Sequence, residues 1–330
     1  MARSPLLLPR RVALHAAAGT ATWLLAAPWC FSQNIPPKGG AAPGLGFSLY
    51  GMRSLPLPEA LAALAQIGYE CTELPVMPDW PADSRHLNAA ARSTLRRQLR
   101  DHNLRLSAIM ENLPLAGDAD PQSLLDRLRR AVDICIDLNT ISEGLSGVGA
   151  RQPPVVETIL GGRPGSFDTI KTRLADQLRR WAEVAASARV LVAIKAHVSN
   201  AVQRPQQLVW LLKNVESPWL KATYDYSHFH VQGLKLAESL QEIAPHMAFV
   251  HVKDGQLVDG RPRFLLPGQG STDYALLWRM LIELGYRGDV VVEVSSQISS
   301  AAGYDPLAAA RQCHKVLALA RQQAQAGVVP

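Results

Sequence analysis

The stretch VLVAIKAHVSNAVQRPQQLVWLLKNVESPWLKATYDYSHF, residues 190–229, contains the repeating unit that decides the fold. It has an almost continuous apolar run at 190–198, a helical pattern at 204–215 and a second apolar run at 220–229. Runs without strict alternation are typical of strands covered on both faces, as in parallel sheets. The stretch therefore predicts a strand–helix–strand unit of an α/β protein.

The same alternation continues in both directions along the chain. Eight strands are predicted, at 45–51, 69–76, 104–113, 154–162, 190–198, 220–229, 248–254 and 289–296, and helical patterns fill the gaps. Eight such units with no surplus strand favour a closed (β/α)8 TIM barrel in one domain, which we expect to span residues 44–326. A doubly wound nucleotide-binding fold would need a glycine-rich first turn, and LYGMRS at 49–54 supplies none.

The N-terminal residues predict an export signal followed by a linker. In residues 1–32, Arg10 and Arg11 precede an apolar run without acidic residues, which is typical of a signal peptide and compatible with the twin-arginine route. Residues 33–43, QNIPPKGGAAP, are predicted to be a linker. A membrane anchor is the alternative, but the run is short and contains His15. We expect export to the periplasm or beyond, with no stable membrane span once the signal is removed.

The composition favours a globular protein that acts on small molecules. Hydrophobic residues make up 48% of the chain and charged residues 19%, and the net charge of +6 is spread over helical stretches. Only 6% of the residues are aromatic, so the stacking surface of a nucleic-acid binder is not indicated. The sequence is compatible with a homo-oligomer but does not specify one. Residues 141–152, ISEGLSGVGARQ, are predicted to form an extra loop.

Polar residues near the ends of the predicted strands define a candidate site, because TIM barrels place their active sites at the C-terminal ends of the strands. These residues are scattered over some two hundred positions and meet only if the barrel is correct. They are Glu73, Glu111, Glu157, Lys195, His197, Asp225, His228, His251, Lys253, Asp254 and Glu293.

From the fourth strand onward the chain resembles the sugar phosphate isomerase/epimerase group of xylose isomerase-like barrels. The resemblance rests on DYSH (225–228), FVHVKD (249–254), LPGQGSTDY (266–274) and VVVEVS (290–295), and it extends more weakly over the first half of residues 44–325. It implies an isomerase or epimerase that moves a proton next to the carbonyl of a keto-sugar or polyol, with a divalent metal ion. Asp225, His251 and Glu293 match three of the four implied ligands, which suit Mn²⁺, Mg²⁺, Co²⁺ or Zn²⁺.

Lys195 stands where the resemblance implies a fourth ligand, a glutamate. If its amine is neutral, it could act as a second base beside Glu293 or bind the ion. It could instead form a Schiff base in a lyase or dehydratase acting on a keto-sugar, which could also be metal-assisted. In a third interpretation its charge replaces the ion in a non-catalytic carbohydrate-binding barrel. Glu157, on the neighbouring strand, could complete the metal site, act as a catalytic partner or hold Lys195.

The remaining candidates are predicted either to contact substrate or to hold other site residues in position. We expect His197, His228, Glu73, Glu111 and Arg263 to contact substrate, and the resemblance implies that Asp254 steadies His251. Lys253 is predicted to face away from His251, with its stem packed under a helix. A barrel nuclease related to endonuclease IV would need several early histidines, and the folded region offers only His86 and His102 before His197.

Overall fold

The computed structural model describes residues 43–139 and 152–327, and there the predicted barrel is confirmed. Eight parallel strands close in the order β1-β10-β7-β6-β5-β4-β3-β2. They are β1 (Gly44–Ser48), β2 (Cys71–Pro75), β3 (Arg105–Met110), β4 (Val155–Ile159), β5 (Val192–Lys195), β6 (Leu220–Asp225), β7 (Met247–Val252) and β10 (Asp289–Val292). Each strand is shorter than its apolar run, because the predicted segments include the turns that follow.

Helices cover the outside of the barrel. They are α1 (Leu57–Ile67), α2 (Ala89–Asp101), α3 (Pro121–Asp137), α4 (Phe167–Ala188), α5 (Pro205–Val215), α6 (Tyr226–His230), α7 (Leu236–Ile243), α8 (Tyr274–Glu283), α9 (Ser296–Ser299) and α10 (Pro306–Gly327). Local sequence sets their ends. Helix α1 begins after Pro56 and ends at Gly68, whose φ of 105° is accessible to glycine at little cost. Asp120 caps α3 by accepting from the Ser123 amide at 2.8 Å.

A two-stranded antiparallel hairpin stands where the sequence predicts only a loop after the seventh barrel strand. It consists of β8 (Asp254–Val258) and β9 (Arg261–Leu265). Asp259 and Gly260 form its turn with φ of 48° and 72°. An Asp-Gly pair is typical of such two-residue turns, so this signal was present in the sequence.

Two apolar layers hold the barrel. The larger one lies between strands and helices and includes the fully buried Trp181 and Trp278. A smaller cluster consists of Ala108, Val155, Ala193, Ala248, Phe249 and Val291, all of them strand residues. Four of these lie two positions before a candidate site residue: Val155 before Glu157, Ala193 before Lys195, Phe249 before His251 and Val291 before Glu293. Since side chains of a strand share a face at i and i+2, the polar residues form the next layer above this cluster.

The predicted signal, the linker apart from Pro43, and residues 141–151 of the predicted extra loop lie outside the described residues. Within the described ranges, no helix combines the length and apolar character needed to cross a membrane. The free cysteines there, Cys71, Cys135 and Cys313, are buried.

Candidate functional site

Lys195 lies at the centre of a buried charged cluster at the C-terminal ends of the strands. Its Nζ atom donates to Oε1 of Glu293 at 2.8 Å and lies 3.0 Å from Nδ1 of His251. Oε1 of Glu157, on the adjacent strand β4, is 3.3 Å from the same atom. The Lys195 side chain is only 2% exposed. The predicted convergence of Glu157, Lys195, His251 and Glu293 is therefore present in the structure.

Lys253 also belongs to this cluster, which corrects the prediction that it faces away from His251. Its ammonium group donates to Oδ2 of Asp225 and to Oε2 of Glu293. Strand β7 ends at Val252 and β8 begins at Asp254, so Lys253 lies between two strands. Lys253 is two positions after His251, and side chains at i and i+2 share a face, so alternation itself places Lys253 on the His251 side and the prediction did not follow from it. We call the following seven residues the Lys195 cluster: Lys195, Lys253, Glu73, Glu157, Asp225, His251 and Glu293.

Glu73, and not Asp254, is the carboxylate that holds His251. Nε2 of His251 lies 3.1 Å from both oxygens of Glu73, which is fully buried in the middle of β2. Asp254 instead accepts hydrogen bonds from the backbone amides of Gly268 and Gly270, at 2.8 and 2.9 Å, and from the hydroxyl of Tyr274. Asp254 thus ties down the loop that leads into α8, and the prediction that it steadies His251 is wrong.

His197 and His228 form a pair of neutral imidazoles beside the cluster. Their ring centroids are 4.1 Å apart, and Nε2 of His228 lies 3.5 Å from Oδ2 of Asp225. Burial, aided by repulsion from Lys195, lowers the pKa of His197 to about 4, and burial lowers the pKa of His228 well below its ordinary value. Neutral imidazoles both donate and accept, which suits sugar hydroxyls.

Glu111 and Arg263, which were predicted to contact substrate, lie apart from the Lys195 cluster. Glu111 forms an ion pair with Arg127 of α3, and Arg127 also donates to the Asn112 carbonyl at 2.8 Å. Burial outweighs this attraction and raises the pKa of Glu111 to about 7. Arg263 is exposed on β9 of the hairpin. The hairpin approaches the site through Phe264 instead, whose ring lies 4.9 Å from that of His228 and 5.4 Å from Nζ of Lys253.

Tyr50 is a site residue that the sequence analysis missed. It lies two residues after the end of β1 and stacks on Trp80, with ring centroids 4.6 Å apart. The guanidinium carbon of Arg53 lies over the same Trp80 ring, 4.7 Å from its centroid. Burial raises the pKa of Tyr50, and the negative charge of Glu293 adds to this effect, so the phenol faces the Lys195 cluster. Its position just after a barrel strand was the available signal.

The charges of the cluster stabilise one another. Burial alone would lower the pKa of Lys195, but Glu157 and Glu293 outweigh it and raise the pKa above the ordinary value. Burial would likewise raise the pKa of Glu293, yet Lys195 and Lys253 hold it well below its usual range. Glu157 is different: burial raises its pKa despite the nearby ammonium group. The two carboxyls that contact Lys195 therefore have opposite proton affinities, an arrangement that suits paired acid and base roles.

Asp225, His251 and Glu293 form a possible metal triad, with ligand atoms within 4.8 Å of one another. The fourth position is an ammonium group, which has no lone pair to offer an ion. Both oxygens of Glu293 accept from lysines, Oδ2 of Asp225 accepts from Lys253, and Oδ1 of Asp225 accepts from the Ser227 hydroxyl at 2.6 Å. The donor types suit a divalent ion, but the arrangement as it stands does not fit one.

Curated relatives match at low identity. The inosose dehydratase of Lactiplantibacillus plantarum is 25% identical over 157 residues, which cover 42% of this chain and 51% of the relative. The chain thus spans about half the length of that relative. The fructoselysine 3-epimerase of Shigella flexneri is 23% identical over 261 residues, covering 76% of this chain and 89% of the relative.

Solved structures share the fold. A xylose isomerase domain protein from Alicyclobacillus acidocaldarius superposes with a TM-score of 0.65 at 20% identity, covering 85% of this chain and 99% of that one. A xylose isomerase-like barrel from Mycobacterium smegmatis in complex with magnesium gives 0.63 at 14% identity, with coverages of 86% and 98%. The IOLI protein with a bound zinc atom gives 0.64 at 18% identity, with coverages of 84% and 98%.

A family model settles the wider relationship. The model described as xylose isomerase-like TIM barrel matches residues 61–318, which include every strand of the barrel except β1 and every residue of the Lys195 cluster. The chain therefore belongs to the xylose isomerase-like TIM barrel family.

Proposed function

We propose that this protein is a sugar-modifying enzyme that moves a proton next to the carbonyl of a keto-sugar or keto-polyol. The observation that carries the proposal is the contact of two carboxyl groups, Glu157 and Glu293, with the Lys195 ammonium at 3.3 and 2.8 Å. Proton transfer beside a carbonyl needs a base, an acid and a cation near the oxygen, and this cluster contains all three.

Glu293 is assigned as the base because substrate can reach it. Its side chain is 12% exposed, whereas Glu157 is fully buried behind Lys195. Glu293 removes the proton from the carbon beside the carbonyl, and the C–H electron pair becomes the C=C bond of an enediolate. The negative charge that develops on the oxygen is stabilised by the ammonium groups. Return of a proton to the opposite face inverts the carbon, and return to the neighbouring carbon moves the carbonyl. Lys195 delivers this proton to the carbon, and Glu157, which contacts the Lys195 amine, replaces the proton on it.

The two kinds of curated relative support this reaction class and leave its product open. Inversion of a centre beside a ketone and loss of water beside a ketone both begin with removal of the same proton. The relatives are named as a 3-epimerase and a dehydratase. The predicted export favours an unphosphorylated sugar, and we propose this substrate class together with an extracytoplasmic location.

A Schiff-base mechanism receives no support from the geometry. An amine attacks a carbonyl only through a free lone pair, and Glu157, Glu293 and Asp225 all stabilise the protonated form of Lys195. Borohydride treatment in the presence of keto-sugars is expected to leave Lys195 unmodified.

Hydrogen exchange with solvent tests the proposed function. The protein is incubated in D₂O with a panel of free keto-hexoses, keto-pentoses and inososes, and NMR follows deuterium at the carbon beside the carbonyl. Exchange is expected with the unaltered protein and with Glu59→Gln, a control at an exposed position on α1. Glu293→Gln is expected to reduce the rate by about 10²–10⁴-fold, the usual contribution of a general base. Absence of exchange with every sugar in the panel would contradict the proposal.

A further inference from the structure

We propose that the ammonium groups of Lys195 and Lys253 together take the place of the divalent ion, so that this member of the family works without a bound metal. The inference deepens the proposed function and rests on it for the nature of the substrate. The metal-binding behaviour of the protein can nevertheless be measured without any substrate.

The first support is that two ammonium groups occupy the hydrogen-bonding positions of the triad. Lys195 contacts Oε1 of Glu293 and Nδ1 of His251, and Lys253 contacts Oε2 of Glu293 and Oδ2 of Asp225. The other nitrogen of His251 faces Glu73. A metal ion bound to Nδ1 of His251 and to the carboxylates would need the lone pairs that the two lysines now engage.

The second support is the order of charges around the barrel. Five neighbouring strands carry the charged residues on or directly after them: β4 carries Glu157, β5 Lys195, β6 Asp225, β7 His251 and then Lys253, and β10 is followed by Glu293. Each ammonium group thus lies between carboxylates from flanking strands. Both lysine side chains are almost fully buried, at 2% and 3% exposure, and a buried cation persists only when it is paired. The negative charges of the carboxylates that would bind an ion are therefore already balanced by the two lysines.

The third support is that the pair of lysines divides the two tasks of an ion. Lys253 joins Asp225 to Glu293 and holds these carboxylates in position, while Lys195 joins Glu293, His251 and Glu157. An ammonium group offers hydrogen bonds and positive charge to a developing oxyanion, as an ion would, but it cannot accept the oxygen as a ligand. The expected substrate is therefore still a neutral sugar, and its carbonyl oxygen becomes negatively charged during the reaction.

Metal binding by the tag-free protein tests this inference directly. After dialysis against EDTA and return to buffer, the protein is titrated calorimetrically with Mn²⁺ and with Zn²⁺, and its melting temperature is recorded with and without each ion. The unaltered protein is expected to show no stoichiometric binding below millimolar concentrations and no rise in melting temperature. Lys195→Glu, which restores a four-ligand set, is expected to bind one ion at least 100-fold more tightly and to melt higher with the ion.

Two further variants control this result. Lys235→Glu makes the same charge change at an exposed position and is expected to behave like the unaltered protein. Adding Asp225→Asn to Lys195→Glu is expected to remove the gained affinity. One ion per chain bound at micromolar concentration by the unaltered protein would overturn the inference, and so would a folded Lys195→Glu variant without gained affinity. If Lys195→Glu does not fold, the titration of the unaltered protein alone tests whether the site binds a metal ion.

The exchange assay separates this inference from the proposed function. Exchange that persists in EDTA supports both. Exchange that requires an added ion overturns the inference and leaves the proposed function intact. If the protein binds neither ion and exchanges hydrogen with no sugar, the inference that two lysines replace the ion stands, and the proposed function is rejected.

Discussion

Nζ of Lys195 and Oε1 of Glu293 lie 2.8 Å apart, although 98 positions separate the two residues in the sequence. The contact exists because β5 and β10 lie on opposite sides of the β6–β7 pair in the closed barrel, and both side chains enter the lumen. It joins the residue that departs from the implied ligand set to the residue that we assign as the base. The stability and the chemistry of the site therefore depend on the same ion pair.

Loss of the Lys195 charge is expected to destabilise the fold. Lys195→Met removes the ammonium partner of Glu157 and one of the two ammonium partners of Glu293, and breaking a buried ion pair in this way costs about 3–5 kcal/mol. Urea unfolding at neutral pH measures this loss in free energy of unfolding. Lys235→Met is the matched control, because the Lys235–Glu238 pair is exposed and worth at most about 1 kcal/mol. Equal stability of the two variants would show that Lys195 is not the electrostatic centre of the site.

Glu111 is expected to make stability fall as pH rises. Burial raises its pKa from 4.5 to about 7 in the folded state, so between these values the native protein binds a proton that the unfolded chain has lost. Proton binding to the native state stabilises it, and this contribution, on the order of 3 kcal/mol, disappears as pH rises from about 4.5 through 7. The measurement is the difference in unfolding free energy between the unaltered protein and Glu111→Gln at several pH values. A difference independent of pH would contradict the assignment.

Asp254 is expected to control the loop before α8. Asp254→Asn removes an oxygen that accepts from the amides of Gly268 and Gly270, and bonds to a charged acceptor contribute about 1.5–3 kcal/mol each. Hydrogen exchange of these two amides should accelerate about 10- to 100-fold. Asp273→Asn, which keeps a good cap for α8, should leave both amides unchanged. Protection that survives Asp254→Asn would indicate that other contacts hold the loop.

The barrel could be predicted from the sequence because strand and helix patterns are local. Eight apolar runs separated by helical patterns fixed the number of strands, and the convergence of Glu157, Lys195, Asp225, His251 and Glu293 followed from the rule that barrel sites lie at strand ends. The same rule located His228 beside Asp225, since the two are three positions apart at the start of α6.

Three features of the site, concerning Lys253, Asp254 and Glu111, were missed or assigned wrongly, each for its own reason. The orientation of Lys253 was predictable, because it is two positions after His251 and strand alternation places both side chains on one face, but the prediction did not apply this rule. Asp254 was assigned wrongly for a different reason: which carboxylate reaches His251 depends on contacts across the barrel mouth, and Glu73, which does so, is 178 positions away from it. Glu111 has a partner, Arg127, on a helix that no strand pattern could place.

The most direct test is the rate of deuterium incorporation beside the carbonyl of a responsive keto-sugar, measured in D₂O with EDTA present. Metal-free catalysis through Glu293 predicts incorporation at the same rate before and after EDTA treatment, together with a loss of about 10²–10⁴-fold in Glu293→Gln and no loss in Glu59→Gln. Incorporation that stops in EDTA and returns with Mn²⁺ or Zn²⁺, or that continues unchanged in Glu293→Gln, would contradict it.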